Sequence, residues 1–516
     1  MFATGQKDMQ YMDQYTMEKL GLPGVVLMEN AGARVVEEII KSSSALNPKV
    51  VVLAGGGNNG GDGFVIARRL FDAGMEPLLC LLVDPSKVKG DAKIHFDVYI
   101  NRGLSVFMLQ EKSIEALEQE LEKADIIVDA ILGTGVNGPV REPFHEVISL
   151  VNQYEGEKLV LSVDIPSGVS SDTGKVHGVA IKAAKTITFV FPKKGFFLNE
   201  GSQHVGEWKA VNISVPPAIV GELGLNLPRV LTDEFVQPCI PTRPKFGHKG
   251  TFGHALIVGG SRPYVGAPIF AAKAALKSGA GLVTLAVPES IYLLTAAQNP
   301  ESLFLPLADV DGHFGREAVE ELASRLKQFN SVAVGSGMGR FPGGEEWMKS
   351  LLASLEGQPL VVDADALYLL RDHLDAVRQY KGNVIFTPHP GEMAQLIGKT
   401  VKEVEADRID IAKSFAQEYN VYLVLKGHRS IIATPDGEVY INPRGHDALG
   451  KGGSGDVLTG LIASFLAQGA PPVHAAVVAS YLHARAGEEK AKIVSHYGVT
   501  PFDIIDGVRD QLNSMT

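Results

Sequence analysis

Two parts of the chain alternate short apolar runs with stretches in which apolar residues recur every three or four positions. In the first, about 49–215, the runs at 50–54, 78–83, 126–131, 159–163 and 186–191 have the length of buried strands. Between them, segments such as 64–72 and 114–122 carry helical spacing. Strands alternating with helices pair in parallel, because each crossover lays a helix on a sheet face, so this part reads as an α/β domain. Two more helical patterns, 9–20 and 25–40, precede it. The texture changes at Pro216 and Pro217 and stays irregular through Pro228, Pro238, Pro241 and Pro244. Proline removes donors and blocks regular pairing, so 216–244 is expected to be a connector that packs on the surface. A second alternation follows. Its predicted strands are 255–258, 282–287, 332–334, 360–362, 384–386 and 421–425, and its predicted helices are 267–277, 318–327, 402–419, 455–468 and 472–490. The expected organisation is an α/β domain over 1–215, the connector 216–244, and a second α/β domain over 245–516.

A length of 516 residues also asks for more than one core. The formal net charge of −11 argues against a nonspecific nucleic-acid or anionic-membrane surface, so any anionic ligand must be held by local devices. Cys80 and Cys239 lie far apart among apolar residues or beside Pro, which suits buried free thiols better than a disulfide or a metal site. No signal-peptide pattern opens the chain and no apolar run has the length of a membrane span, so a cytoplasmic protein is expected.

Candidate chemistry collects after the predicted strands. The run Gly55-Gly56-Gly57-Asn58-Asn59-Gly60-Gly61-Asp62-Gly63 lies between a strand and a helix, the setting of a phosphate cradle. Its Asn pair and Asp depart from the dinucleotide Gly-x-Gly-x-x-Gly fingerprint, and it lacks the ending of a P-loop. Asp129 lies within a strand that runs into Gly133-Thr134-Gly135, and Asp164 precedes a Pro166-Ser167-Gly168 turn. Either Asp alone suits a turn cap; together the three loops converge where open α/β sheets bind ligands.

In the second half, Lys451-Gly452-Gly453-Ser454-Gly455-Asp456 precedes the apolar pattern of a helix. Its small residues present backbone N–H groups to an anion, and Asp456 lies beside that anion as a candidate base for an attacking hydroxyl. The same residues also suit a plain helix N-cap. Gly335-Ser336-Gly337, Asp363-Ala364-Asp365, Thr387-Pro388-His389-Pro390-Gly391-Glu392 and Lys426-Gly427-His428-Arg429-Ser430 each follow a predicted strand. Two prolines fix the backbone around His389, which suits a preoriented ligand contact. Asp363 and Asp365 face one way if the strand runs on; if it ends there, one of them is a turn or helix cap.

The first set of motifs resembles the NAD(P)H-hydrate epimerase family over nearly all of 1–215. That resemblance implies a Rossmann-like three-layer αβα domain that interconverts the R and S hydrates of the reduced nicotinamide ring. It implies that Asn58, Asn59, Gly60, Gly61 and Asp62, with Gly133, Thr134, Gly135, Val136, Asn137, Gly138 and Pro139, hold the hydrate. Asn59, Asp129 and Ser167 would ligate a potassium ion, and Asp164 would be the acid/base group and touch the hydrate. Oxygen donors suit a hard cation.

The second set is similar to the ribokinase-like fold, and within it to the ADP- or ATP-dependent NAD(P)H-hydrate dehydratases, over about 245–516. It implies a second αβα domain in which ADP, with magnesium, phosphorylates the hydrate's hydroxyl, and phosphate then leaves to restore the dihydronicotinamide and release AMP. Asp456 would take the hydroxyl proton. Ala267, Gly337 and His389 would contact the hydrate, and Lys426, Gly427, His428, Arg429, Ser430 and Gly455 the nucleotide. The Gly-Ser-Gly at 335–337 stands where many relatives have Gly-Pro-Gly.

The expectation is therefore repair of NADHX and NADPHX by a homo-oligomer that binds neither nucleic acid nor membrane. A vitamin-precursor or sugar kinase with an N-terminal binding domain is the alternative.

Overall fold

The computed structural model describes residues 1–42, 47–136 and 138–516. They form two compact units, Phe2–Leu227 and a second made of Met1 with Pro228–Thr516.

The first unit is built on one seven-stranded sheet, parallel throughout. Its strands are β1 (Val50–Ala54), β2 (Leu78–Leu81), β3 (Val106–Met108), β4 (Ile126–Ala130), β5 (Leu159–Val163), β6 (Lys185–Phe189) and β7 (Glu207–Val211). The order is β3-β2-β1-β4-β5-β6-β7. Alternate residues of β1 enter opposite cores, Val50, Val52 and Ala54 on one face and Val51 and Leu53 on the other. Both faces are therefore covered by helices, which explains a strand that reads as continuously apolar. The order reverses between β1 and β4, and that switch point places a crevice at their carboxyl ends.

The second unit carries a ten-stranded sheet. Its strands are β8 (Arg229–Val230), β9 (His254–Val258), β10 (Leu282–Pro288), β11 (Leu303–Leu307), β14 (Ser331–Val334), β15 (Leu360–Val362), β16 (Val384–Phe386), β17 (Tyr422–Leu425), β18 (Ile431–Ala433) and β19 (Val439–Ile441). The order is β11-β10-β9-β14-β15-β16-β17-β18-β19-β8; β12 (Asp309–Val310) and β13 (His313–Phe314) make a separate hairpin. Only β18 runs against its neighbours. Helix Ser454–Ala467 is buried along almost its whole length. It packs so closely on the alanine-rich helix Gly266–Lys277 that a Cβ on Gly460 would lie 2.0 Å from the Ala271 carbonyl oxygen.

Two expectations are corrected here. The stretch 216–244 is not a surface connector: Ile219, Val220 and Leu227 enter the first core, and Leu231, Val236, Cys239 and Ile240 enter the second. The glycine-rich run after β1 is not a loop throughout, because helix Asn58–Asp72 already begins at Asn58. Its glycines serve close packing; a Cβ on Gly60 would meet the Gly55 carbonyl oxygen at 2.0 Å, and one on Gly61 would meet Met28 at 2.4 Å. Cys80 and Cys239 are buried and free. Among the described residues no helix is long and apolar enough to cross a membrane.

Candidate active sites

At the switch point of the first sheet lies a cavity of about 800 Å³. Gly56 and Gly57 after β1, the loop after β4 and Asp164 after β5 form its walls. Asn58, Asn59 and Asp62 line it from the first turns of their helix, whereas Gly60 and Gly61 face the protein interior. Gly133, Thr134, Gly135, Val136, Gly138 and Pro139 also line it. Asn137 lies outside the described residues.

Asp164 is held in an unusual way. It is the centre of a three-residue turn, with Ile165 N–H donating to the Val163 carbonyl at 2.8 Å and φ at +63°. That left-handed γ-turn is strained for a residue with a Cβ, and such strain concentrates at functional sites. Its Oδ1 accepts from Lys193 Nζ at 2.6 Å, Phe189 N–H at 3.0 Å and Thr188 Oγ1 at 3.1 Å. The Lys193 side chain is 0% exposed, so a buried ion pair fixes the carboxylate. Three more carboxyl groups, Asp13, Asp62 and Asp91, share the cavity. Burial and the charge of Asp164 push Asp13 up to about 6 and Asp62 well above the usual carboxylate range.

Behind this wall Asn59, Asp129 and Ser167 come together. Ser167 Oγ lies 2.5 Å from Asp129 Oδ1 and 3.1 Å from the Leu132 carbonyl oxygen, and Asn59 Nδ2 donates to that same oxygen at 3.0 Å. Asp129 is wholly buried, and its partners are the neutral donors of Ser162, Ser167 and Ile131. Burial raises its pKa against those hydrogen bonds, a deficit that a bound cation would offset. Carboxylate, hydroxyl, amide and carbonyl oxygens fit a hard monovalent cation.

In the second unit a cavity of about 650 Å³ opens where β15, β16 and β17 end. His389, Lys426, Gly427, His428, Ser430, Gly455 and Asp456 line it together. Helix Ser454–Ala467 starts after Gly453, whose φ of +93° demands glycine and which offers no side-chain cap. The N–H groups of its first turn therefore point at the cavity with the positive end of the helix dipole. Buried His483, pulled down to about 4 by burial and hence neutral, holds the turn by donating from Nε2 to the Ser454 carbonyl at 2.9 Å.

Asp456 sits in that first turn. Burial and then the negative charge of Asp363 push its carboxyl up to about 6. Asp363 is itself fully engaged, with Lys426 Nζ at 2.8 Å, Thr387 Oγ1 at 2.7 Å and Thr459 Oγ1 at 2.7 Å. Burial pulls Lys426 down, but Asp363 and Glu392 outweigh it and keep the ammonium charged. Asp365 goes elsewhere. β15 ends at Val362, Ala364 turns with φ +50°, and Asp365 opens a short helix and accepts from Gly339 N–H at 2.8 Å.

His389 is an N-cap: its Nδ1 accepts from Gly391 N–H at 3.0 Å and Glu392 N–H at 3.3 Å, with Pro390 as first residue of helix Pro390–Ile397. Arg429 does not line the cavity; its Nη1 donates to the Gly445 carbonyl at 3.4 Å. Ala267 and Gly337 lie outside this lining and against each other; a Cβ on Gly337 would meet that of Ala267 at 2.8 Å.

Four contributors carry no sequence motif: Asp13, Lys193, Arg408 and His483. Buried Arg408 donates from Nη2 to the carbonyls of Leu425, Lys426 and Arg429, locking the loop after β17. Lys193 had one faint signal, a lysine directly after an apolar run.

Comparison with known proteins agrees with both units. A profile described as NAD(P)H-hydrate dehydratase matches residues 255–509, and one described as YjeF-related protein N-terminus matches residues 24–195. A solved ribokinase-like superfamily protein of Enterococcus faecalis is 28% identical, with a TM-score of 0.50, over 56% of this chain and 96% of its own. The bifunctional NAD(P)H-hydrate repair enzyme of Thermofilum pendens is 36% identical over 98% of this chain and 95% of its own length. The enzyme of the same name from Moorella thermoacetica is 38% identical over 98% of this chain and 96% of its own length. Likeness of this extent covers both units at once, and the chain belongs to the family of bifunctional NAD(P)H-hydrate repair enzymes.

Proposed function

We propose that the first unit interconverts the R and S hydrates of NADH and NADPH, and that the second dehydrates the S form at the expense of ADP. The observation that carries this reading is similarity to repair enzymes across both units, 38% over 98% of the chain. In the second unit Asp456 takes the proton of the hydrate's C6 hydroxyl as its oxygen attacks the terminal phosphoryl group. Lys426 and the N–H groups of the first helical turn stabilise the charge that develops on the phosphoryl oxygens. The C6–O bond then breaks with its electron pair leaving on phosphate, and loss of a C5 proton restores the ring double bond. His389, Ala267 and Gly337 would contact the hydrate, and the loop from Lys426 to Ser430, with Gly455, the nucleotide.

Among the described residues no His, Cys, Asp or Glu cluster is arranged to hold a metal. Asp363 is engaged by three donors, so magnesium would arrive with the nucleotide and would supply positive charge at its phosphates. In the first unit Asn59, Asp129 and Ser167 would hold potassium, whose charge would fix the Leu132 peptide and the loop that follows it. Asp164, held by Lys193 at 2.6 Å, is the acid/base group at the hydrate.

Incubating the protein with NADHX and ADP should restore the reduced-nicotinamide absorbance and release one phosphate per NADH. A stable phosphorylated product, or a flat trace with every nucleotide tried, would sink this reading.

A further inference from the structure

Of the four carboxyl groups that line the first cavity, Asp13, Asp62, Asp91 and Asp164, the last is matched to a buried cation, Lys193 at 2.6 Å. Asp62 is 8% exposed and accepts no hydrogen bond from the described residues, and Asp13 Oδ1 is buried without a partner. A polar atom buried without a partner, as Asp13 Oδ1 is, is costly and calls for a ligand that completes it. The two residues come from separate elements, Asp13 from helix Gln6–Glu18 and Asp62 from helix Asn58–Asp72, and both line the cavity onto which Asp164 faces.

Epimerisation at a hemiaminal carbon needs two proton carriers, because the hydroxyl loses a proton as the ring nitrogen gains one. Only one carrier, Asp164, has been assigned above. Resting on the epimerase reading, we propose that Asp13 is the second: the acid that protonates the ring nitrogen while Asp164 deprotonates the hydroxyl.

The steps balance. Asp164 accepts the C6 hydroxyl proton, the C6–N1 bond breaks as the aldehyde C=O forms, and the N1 electron pair takes the proton of Asp13. Rotation about C5–C6 presents the other aldehyde face. N1 then attacks C6 and returns its proton to Asp13, and the new oxyanion recovers the proton from Asp164. The environments differ and assign the roles: Asp164 is ion-paired with buried Lys193 at 2.6 Å, whereas burial and the charge of Asp164 favour the acid at Asp13. Burial and the charges of Asp164 and Asp13 favour the neutral acid at Asp62 as well, a form that can donate a hydrogen bond to the hydrate. Asp62, Asp164 and Lys193 are the charges that bear on Asp13; Asp91 and Arg141 also line the cavity.

The test uses the full chain with ADP and compares wild type, Asp13→Asn and Asp13→Glu on (R)- and (S)-NADHX by recovery of reduced-nicotinamide absorbance. The R-dependent rate of Asp13→Asn should fall about 10²–10⁴-fold, or to the spontaneous rate if that is reached first. The S-dependent rate, which reports the second unit, should stay at the wild-type level. Asp13→Glu should regain part of the loss, and the fall in wild-type epimerisation as pH rises past about 6 should vanish in Asp13→Asn. Wild-type epimerisation by Asp13→Asn, or the same high-pH fall in it, overturns the assignment. Should Asp13→Asn not fold, Asp13→Glu decides: a wild-type rate and pH profile there overturn it too. A wild type no faster than spontaneous on the R form overturns the epimerase reading itself.

Discussion

Asp456 shows what one residue costs the fold that holds it. Its carboxyl rises from 3.8 to about 6 because burial and Asp363 disfavour the anion. The folded protein thus binds that proton more tightly than the unfolded chain does, so stability falls as pH climbs between those two values and stays lower above them. At pH 7 the penalty is at most about 3 kcal/mol. Asp456→Asn should therefore raise stability at pH 7 by about 1–3 kcal/mol in denaturant titrations while lowering dehydration about 10²–10⁴-fold. Wild-type dehydration should fall as pH drops below about 6, where the base becomes protonated. Lys193→Met should destabilise the first unit by about 1–3 kcal/mol, since half-buried Asp164 loses its cation and the Phe191 carbonyl its buried donor; a melt followed in that unit would read it. At this scale the sequence revealed residues that break a pattern: Asp456 among glycines, Asp164 at a strand end, His389 between prolines. Asp13 and Arg408 were illegible because each sits in an ordinary helix, and only the fold brings Asp13 to the cavity and Arg408 to the loop after β17.

Among elements, the long buried strands were legible because residues apolar on both faces leave an unbroken run. The missed strands are short or at an edge: β3, β8, β11, β12, β13, β18 and β19, and β7, where exposed Glu207 and Lys209 alternate with Trp208. The helix at Pro390–Ile397 was hidden because prolines that open a helix look like breakers when read alone. Likewise the glycines after β1 suggested a loop, whereas they let a helix approach neighbouring backbone. That argument extends to Gly460: Gly460→Ala should cost about 1–3 kcal/mol by overpacking, read as a lower melting temperature of the second unit. Arg408→Ala frees the loop after β17 and should raise the nucleotide KM about tenfold, equivalent to about 1.4 kcal/mol, with the first unit's epimerisation untouched.

For the whole molecule, two α/β units were legible from two alternations, but their border was not. Proline content marks 216–244 as irregular, but irregular backbone is not necessarily exposed. Here β8 pairs with β19, and Asp233 accepts from Tyr481 Oη and Arg485 Nη1, both at 2.7 Å. A fragment 228–516 should accordingly melt well above 245–516, which lacks the edge strand and the buried Leu231 and Val236. Equal melting temperatures would refute that border.

The His389 cap constrains what this side chain can say to a ligand. With Nδ1 spent on two backbone N–H groups, the neutral ring carries its proton on Nε2. Nε2, which lies 3.5 Å from Glu392 Oε1, therefore meets its surroundings as a donor. It greets lone pairs, such as a carboxamide or phosphate oxygen, and has none of its own to give a metal or an incoming hydroxyl proton. The pair of ring-nitrogen resonances should bear that asymmetry, one nitrogen protonated and the other bare, before any ligand is added.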